Sequence, residues 1–180
     1  MTHSASKTTV GLIGCGKRLA NVIQHMARHP AFQQIELPAV YDPDPHYANV
    51  LRKTLAPGLS VKSHYEDILG DPANDWIMIG SWNCFHAEHV IAAFNAGKHV
   101  FCEKPLATTL TDCVAMREAW KHSNCRFVIG FTLRYSPHYR KIKELMDDGR
   151  IGELISFEFN ETIGFDHGGL IMGGWRCDRQ

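Results

Sequence analysis

The chain has 180 residues, of which 44% are hydrophobic, 21% charged and 10% aromatic, and its 19 basic residues balance 19 acidic ones. Zero formal net charge argues against a nucleic-acid groove or an anionic membrane surface as the main partner, because both demand a basic field. No apolar run is long enough to cross a bilayer, and the polar start, residues 1–9, lacks the apolar core of a secretory signal and reads as a flexible tail.

From there the chain alternates between short β-branched runs and amphipathic stretches. Val10 to Ile13 reads as a buried strand ending at Gly14. Leu19, Val22, Ile23 and Met26 recur at helical spacing until Pro30 closes that helix. Ile35 to Tyr41 is a second strand, closed by the turn-rich run Asp42-Pro43-Asp44-Pro45. A helix over His46 to Leu55, a strand over Leu59 to Lys62 and a brief helix over Tyr65 to Leu69 follow. Trp76 to Ile79 is an apolar strand ending at Gly80 and Ser81, and the helix over His86 to Ala96 stops at Gly97, which suits a left-handed position. His99 to Cys102 is a strand, Thr109 caps a helix with Cys113, Met116 and Trp120 as its stripe, and Arg126 to Phe131 is a strand. This alternation predicts a doubly wound parallel α/β sheet with ligands on loops at the carboxyl ends of its strands.

Pro137 opens a further helix that ends at Asp148-Gly149, and Ile151 to Thr162 alternates like a half-exposed antiparallel strand. The change of pattern predicts three parts: a tail over 1–9, a dinucleotide-binding domain over 10–133, and a linker helix with the first strand of a second domain over 134–180.

Six cysteines (Cys15, Cys84, Cys102, Cys113, Cys125, Cys177) stand singly, without zinc-type or disulfide-framework spacing. That pattern predicts a reduced cytoplasmic setting. Eleven histidines are present, but His86 and His89 have only Glu88 between them as a further ligand, so no metal is expected.

Gly11, Gly14 and Gly16 stand at the exit of the first strand, where glycine lets a pyrophosphate approach the amides of a helix N-terminus. The dinucleotide fingerprint asks for a small residue where this chain has Leu19, so a packing turn is the competing reading. Asp42 favours the dinucleotide, because it ends the second strand at the fingerprint's expected distance and can accept ribose hydroxyls. Among the later loops Lys104 is the sharpest candidate for chemistry: an ammonium beside substrate stabilises an alkoxide while hydride leaves. Spacing leaves an alternative open, in which Lys104 pairs with Glu103 or solvent in a turn stiffened by Pro105.

Gly14-Cys15-Gly16, Tyr41-Asp42-Pro43, Asn83-x-x-His86 and the block from Ala96-Gly97-Lys98-His99-Val100 to Glu103-Lys104-Pro105 together resemble the Gfo/Idh/MocA oxidoreductase family. The resemblance implies an N-terminal Rossmann domain binding NAD or NADP, a C-terminal α/β domain, and a sugar, cyclitol or related polyol oxidised by hydride transfer. It implies that Gly14, Cys15, Gly16, Lys17 and Arg18 hold the pyrophosphate, Asp42 the ribose, and Ser81, Asn83 and His86 the cofactor. Glu103 and Lys104 would reach the nicotinamide ribose and the substrate, with Lys104 catalytic and Pro105 cis. Trp175-Arg176 resembles a pair that contacts cofactor in some members, and Arg134 joins the cofactor contacts because its loop, Thr132 to Tyr135, lies at the carboxyl end of a strand.

Two departures from the family stand out. Leu19 is expected to move its helix slightly off the sheet, and the Asp-x-x-x-His histidine that serves relatives as general acid/base is expected beyond Gln180. An NAD-dependent glycosidase of the same superfamily and a non-catalytic dinucleotide-binding fragment are the alternative functions. A homo-oligomer is expected of the full-length form.

Overall fold

A computed structural model of the chain describes residues 7–162, Gly164 and Gly169. The chain divides into two compact units, Met1–Phe131 and Thr132–Gln180.

In the first unit the apolar runs form parallel strands joined by crossover helices. The strands are β1 (Thr8–Ile13), β2 (Ile35–Glu36), β3 (Ala39–Tyr41), β4 (Ser60–Val61), β5 (Trp76–Ile79), β6 (His99–Cys102) and β7 (Phe127–Ile129). The helices between them are α1 (Lys17–Met26), α2 (Pro45–Thr54), α3 (Glu66–Leu69), α4 (His86–Asn95) and α5 (Leu110–His122). Spatial order is β4-β3-β1-β5-β6-β7, with β2 also on β1. Counting β2 and β3 as one interrupted strand, this is the doubly wound order in which the chain reverses direction between β1 and β5.

The expected second strand, Ile35 to Tyr41, is thus two pieces. Thr8 pairs with Ile35 and Leu12 with Val40, but the ladder lapses around Pro38, which has no N–H to donate. Pro30 does more than end α1: it opens a 3₁₀ turn over Pro30–Gln34.

Alternation along the strands sorts the core onto two faces. Leu12, Val40 and Met78 join Leu19 and Ile23 of α1 and Ala48 and Leu51 of α2. Ile13, Ala39, Ile77 and Ile79 join Val90, Ala93 and Phe94 of α4 and Met116 of α5. Each such aliphatic or aromatic burial contributes about 1.5–3 kcal/mol.

Caps fall where the residue types predict. Asp44 accepts from the His46 amide at 2.9 Å, the Thr109 hydroxyl accepts from the Asp112 amide at 3.1 Å, and Gly97 takes φ +71° after α4. At the opposite end of the sheet from the candidate loops, buried Lys98 donates to the carbonyls of Asp71 (2.7 Å) and Asn74 (3.0 Å).

In the second unit α6 (Pro137–Asp147) forms as expected, with Gly149 at φ +67° behind it. The expected strand over Ile151 to Thr162 does not form: residues 152–162 carry no strand ladder and are exposed throughout. A strand needs a neighbour to satisfy its amides, and the described residues offer this segment none. Phe157 and Phe159 are 65% and 50% exposed, and their rings stack with centroids 6.3 Å apart.

Candidate functional site

Strand register assembles the site. Tyr41, Ile13, Ile79, Cys102 and Ile129 lie side by side in one row across the sheet. The residues just past that row are Asp42, Gly14, Gly80-Ser81, Glu103-Lys104 and Gly130, so loops far apart in sequence share one edge. From β3 to β6 is three inter-strand steps, or about 14 Å, a span suited to a dinucleotide lying along the edge.

Gly14 has φ +75°, and a Cβ on it would lie 2.4 Å from the Ser81 nitrogen, so only glycine fits. Beside it, nothing lies within 4 Å of a Cβ position on Gly16, which N-caps α1 without a side-chain hydrogen bond. First-turn amides without a side-chain cap, next to open space, form a ready phosphate cradle. The residues present therefore fit a pyrophosphate at this position.

Leu19, expected to move α1 slightly off the sheet, packs against the end of β5. It is fully buried, and a Cβ on Gly80 would lie 2.8 Å from Leu19 Cβ. The space normally yielded by a small residue on the helix is yielded here by glycine at the end of the neighbouring strand. Sequence reasoning noted Gly80 only as a strand terminus. The available signal was a bulky fingerprint residue together with a glycine directly after the next strand of the edge.

Asp42, just past β3, sits directly beside this cradle. Its Oδ2 accepts from the Cys15 amide at 2.7 Å and its Oδ1 from the Asp44 amide at 3.0 Å. The carboxylate thus pins the glycine loop, and each oxygen retains a lone pair for a hydroxyl donor. Burial, with Asp42 beside it, pushes the Cys15 thiol well above the ordinary thiol range, so it is an inert wall.

At the other end of the row Glu103 is 4% exposed. Arg18 Nε donates to its Oε1 at 3.1 Å, and the Lys104 amide donates to its Oε2 at 3.3 Å. Gly130 makes the room, since a Cβ there would lie 3.2 Å from Glu103 Oε2. The acid is therefore paired by Arg18, and exposed Lys104 is not spent on neutralising it. The Lys104–Pro105 peptide is cis, as the resemblance implies. Lys17 is exposed at the mouth of the cradle.

Ser81 and half-buried Asn83 stand on the loop after β5. The Ser81 hydroxyl is 2.9 Å from Nδ1 of His89. Burial lowers the basicity of His89, partly offset by Glu88 and Glu66, and the Tyr65 ring packs edge-on at 4.6 Å. Burial and a 3.0 Å hydrogen bond to Glu88 push the Tyr65 hydroxyl up to about 12.

His86, expected to line the cofactor, is instead fully buried. Its Nδ1 lies 2.8 Å from the Pro105 carbonyl and its Nε2 3.1 Å from the Ser81 carbonyl. Arg134 lies in the 3₁₀ turn Thr132–Tyr135 of the second unit. Trp175 and Arg176 lie outside the described residues, as does Cys177. Among the described residues no three metal-ligating side chains converge.

The Gfo/Idh/MocA family model, an oxidoreductase family with an NAD-binding Rossmann fold, matches residues 8–131. Over 146 residues the chain is 40% identical to inositol 2-dehydrogenase 3 of Saccharopolyspora erythraea, covering 79% of this chain and 41% of that protein. The structure of myo-inositol 2-dehydrogenase from Lactobacillus plantarum matches with a TM-score of 0.74 at 30% identity, over 82% of this chain and 43% of that one. Scyllo-inositol dehydrogenase from Lactobacillus casei, solved with NAD(H) and scyllo-inositol, matches with a TM-score of 0.74 at 28% identity, over 82% and 43%. The chain spans less than half the length of these relatives.

Proposed function

Because this chain belongs to the Gfo/Idh/MocA oxidoreductases, with their NAD-binding Rossmann fold, we propose that it is the nucleotide-binding part of an NAD-dependent dehydrogenase acting on a cyclitol or related polyol. The observation that carries this reading is the single row of strand ends. Asp42, Gly14 to Lys17 and Lys104 share that edge, which supports reading them as ribose acceptor, phosphate cradle and substrate-facing ammonium. The polyol class is supported by relatives that are inositol dehydrogenases.

A bound nicotinamide would supply the hydride acceptor for a carbinol carbon, and the hydroxyl proton would pass to a general base of the substrate domain. The chain's own residues orient and polarise. Asp42 takes the adenosine ribose, and the α1 amides and Lys17 take the diphosphate. Lys104 donates to the reacting oxygen and stabilises negative charge as it develops. His86 and His89 are buried and engaged in hydrogen bonds, so neither is offered to a substrate hydroxyl as base. Residues 134–180 begin the substrate domain in this reading, with Arg134, Trp175 and Arg176 as its cofactor contacts. The complete enzyme is a cytoplasmic homo-oligomer, and the cysteines among the described residues are all free thiols.

Fluorescence titration of the 180-residue chain with NADH and NADPH tests the reading. Binding of NADH, about tenfold or more tighter than NADPH, is expected, because a carboxylate accepts ribose hydroxyls and repels a 2′-phosphate. Absence of NADH binding refutes it, and preference for NADPH refutes the assigned role of Asp42.

A further inference from the structure

Beyond the last ladder bond between β5 and β6, Glu103 N–H to Ile79 O at 2.9 Å, the two strands run into separate loops. One carries Ser81 and Asn83; the other carries Lys104 and Pro105. His86, the first residue of α4, joins them: its Nε2 faces the Ser81 carbonyl at 3.1 Å and its Nδ1 the Pro105 carbonyl at 2.8 Å. Carbonyl oxygens only accept, so a neutral ring donates to one of them, the Pro105 carbonyl being the shorter contact at 2.8 Å, and donates to both only as an imidazolium. The ring is wholly buried, so water does not compete for these bonds.

The consequence falls on Lys104. Its amide is held by the Glu103 carboxylate at 3.3 Å, and the carbonyl of the next residue is held by His86. The backbone is thus fixed on both sides of a residue whose side chain is exposed. In a doubly wound sheet each half takes one mononucleotide. Asp42 marks the β3 side as the adenosine half, so the β5–β6 loops belong to the nicotinamide half.

We propose that His86 is a positioning residue, a clamp between the loops after β5 and β6 that sets Lys104 against the nicotinamide half without touching the cofactor itself. The inference rests on the dinucleotide reading above and adds to it which half of the ligand His86 serves.

The two ring nitrogens can be tested separately. Asparagine places an amide N–H near the Nδ1 position and keeps the Pro105 bond; glutamine places one near Nε2 and keeps the Ser81 bond. The probes are NADH and ADP, the latter carrying the adenosine and diphosphate and nothing beyond. Loss of one buried hydrogen bond predicts that His86→Gln weakens NADH about tenfold, while His86→Asn stays within about threefold of the parent. ADP should change by less than about threefold in either variant, because its contacts lie at Asp42 and the α1 amides. Equal losses for NADH and ADP, or NADH binding by His86→Gln indistinguishable from the parent, overturn the clamp.

A measurement on the unaltered chain guards against a variant that fails to fold. With ¹⁵N-labelled histidine, an exchange-protected ring N–H of His86 should be present and should shift on adding NADH but not on adding ADP. A His86 ring with no protected N–H, or one that responds alike to both probes, overturns the proposal. A parent chain that binds neither probe overturns the dinucleotide reading, and the clamp's role with it.

Discussion

Gly80→Ala is the perturbation that most directly tests how the phosphate cradle is seated. The added Cβ would lie 2.8 Å from Leu19 Cβ, 3.1 Å from its Cδ2 and 3.2 Å from its Cγ. Leu19 is fully buried in the cluster of Leu12, Ile23, Val40 and Met78, so it has nowhere to retreat except by moving α1. Overpacking of this kind costs about 1–3 kcal/mol, which at the usual urea dependence lowers the unfolding midpoint by about 1 M. In the proposed reading the first turn of α1 carries the phosphate-binding amides, so NADH affinity should fall as well.

A reciprocal background separates this contact from any general intolerance at position 80. Leu19→Gly alone removes a buried leucine, at about 2–5 kcal/mol, and adds a glycine inside a helix, at about 1 kcal/mol. In that background the three nearest contacts of the added Cβ are gone, and Gly80→Ala should be neutral or stabilising by about 0.4–1 kcal/mol through the unfolded chain. Urea unfolding of the parent, both single variants and the double variant measures the coupling. An equal cost of Gly80→Ala in both backgrounds would refute the exchange of space between helix and strand.

Further outcomes follow from the same edge. Asp42→Asn keeps one acceptor where two amides, Cys15 and Asp44, now donate; it should weaken NADH about tenfold and narrow the preference over NADPH, both read by fluorescence titration. Arg18→Ala strips the partner from buried Glu103 and should lower stability by about 1–2 kcal/mol, discounted because Arg18 is half exposed; Glu103→Gln in that background should recover part of the loss. Lys104→Ala, at an exposed position, should leave the unfolding free energy within about 0.5 kcal/mol of the parent in urea, and a larger loss would return Lys104 to a structural role. His89 is less basic in the folded chain than when unfolded, so the folded state binds fewer protons as pH falls below about 6.5 and stability declines there; His89→Gln should remove that part of the acid dependence in pH-resolved unfolding.

The alternation of strands and helices was legible because each strand is a short apolar run closed by glycine or a turn, and each helix repeats its buried residues at helical spacing. Gly97 and Thr109 were legible for the same local reason: a left-handed position and a hydroxyl cap are set by immediate neighbours. What escaped the sequence is non-local. Asp42 holds the Cys15 amide from 27 residues away, and Arg18 reaches Glu103 from 85 away, so spacing left the pairing of Glu103 with Lys104 open and the resemblance gave Arg18 to the pyrophosphate. His86 carries the same signal whether it faces a ligand or two carbonyls; burial decides, and burial emerges only when β5, α4 and β6 come together. The run over Ile151 to Thr162 misled for the opposite reason, since alternation states a preference for pairing and cannot supply the partner.

Charge along the edge then follows from which groups neutralise one another. At the proposed adenosine end Asp42 and Asp44 present carboxylates and no ion pair is found at them among the described residues, which suits neutral hydroxyls and repels an added phosphate. In the middle the α1 amides and exposed Lys17 favour the diphosphate. Next to them Arg18 and Glu103 cancel, and that cancellation matters: without Arg18, a buried carboxylate adjoining Lys104 would draw its ammonium inward. With Glu103 satisfied by Arg18 and by a backbone amide, the Lys104 charge stays available for the role proposed above, meeting negative charge that develops only during reaction. Removing Arg18 should therefore cost more in the rate of hydride transfer by the complete enzyme than in NADH affinity. Equal losses in both would mean that Arg18 acts on the diphosphate and that Glu103 does not depend on it.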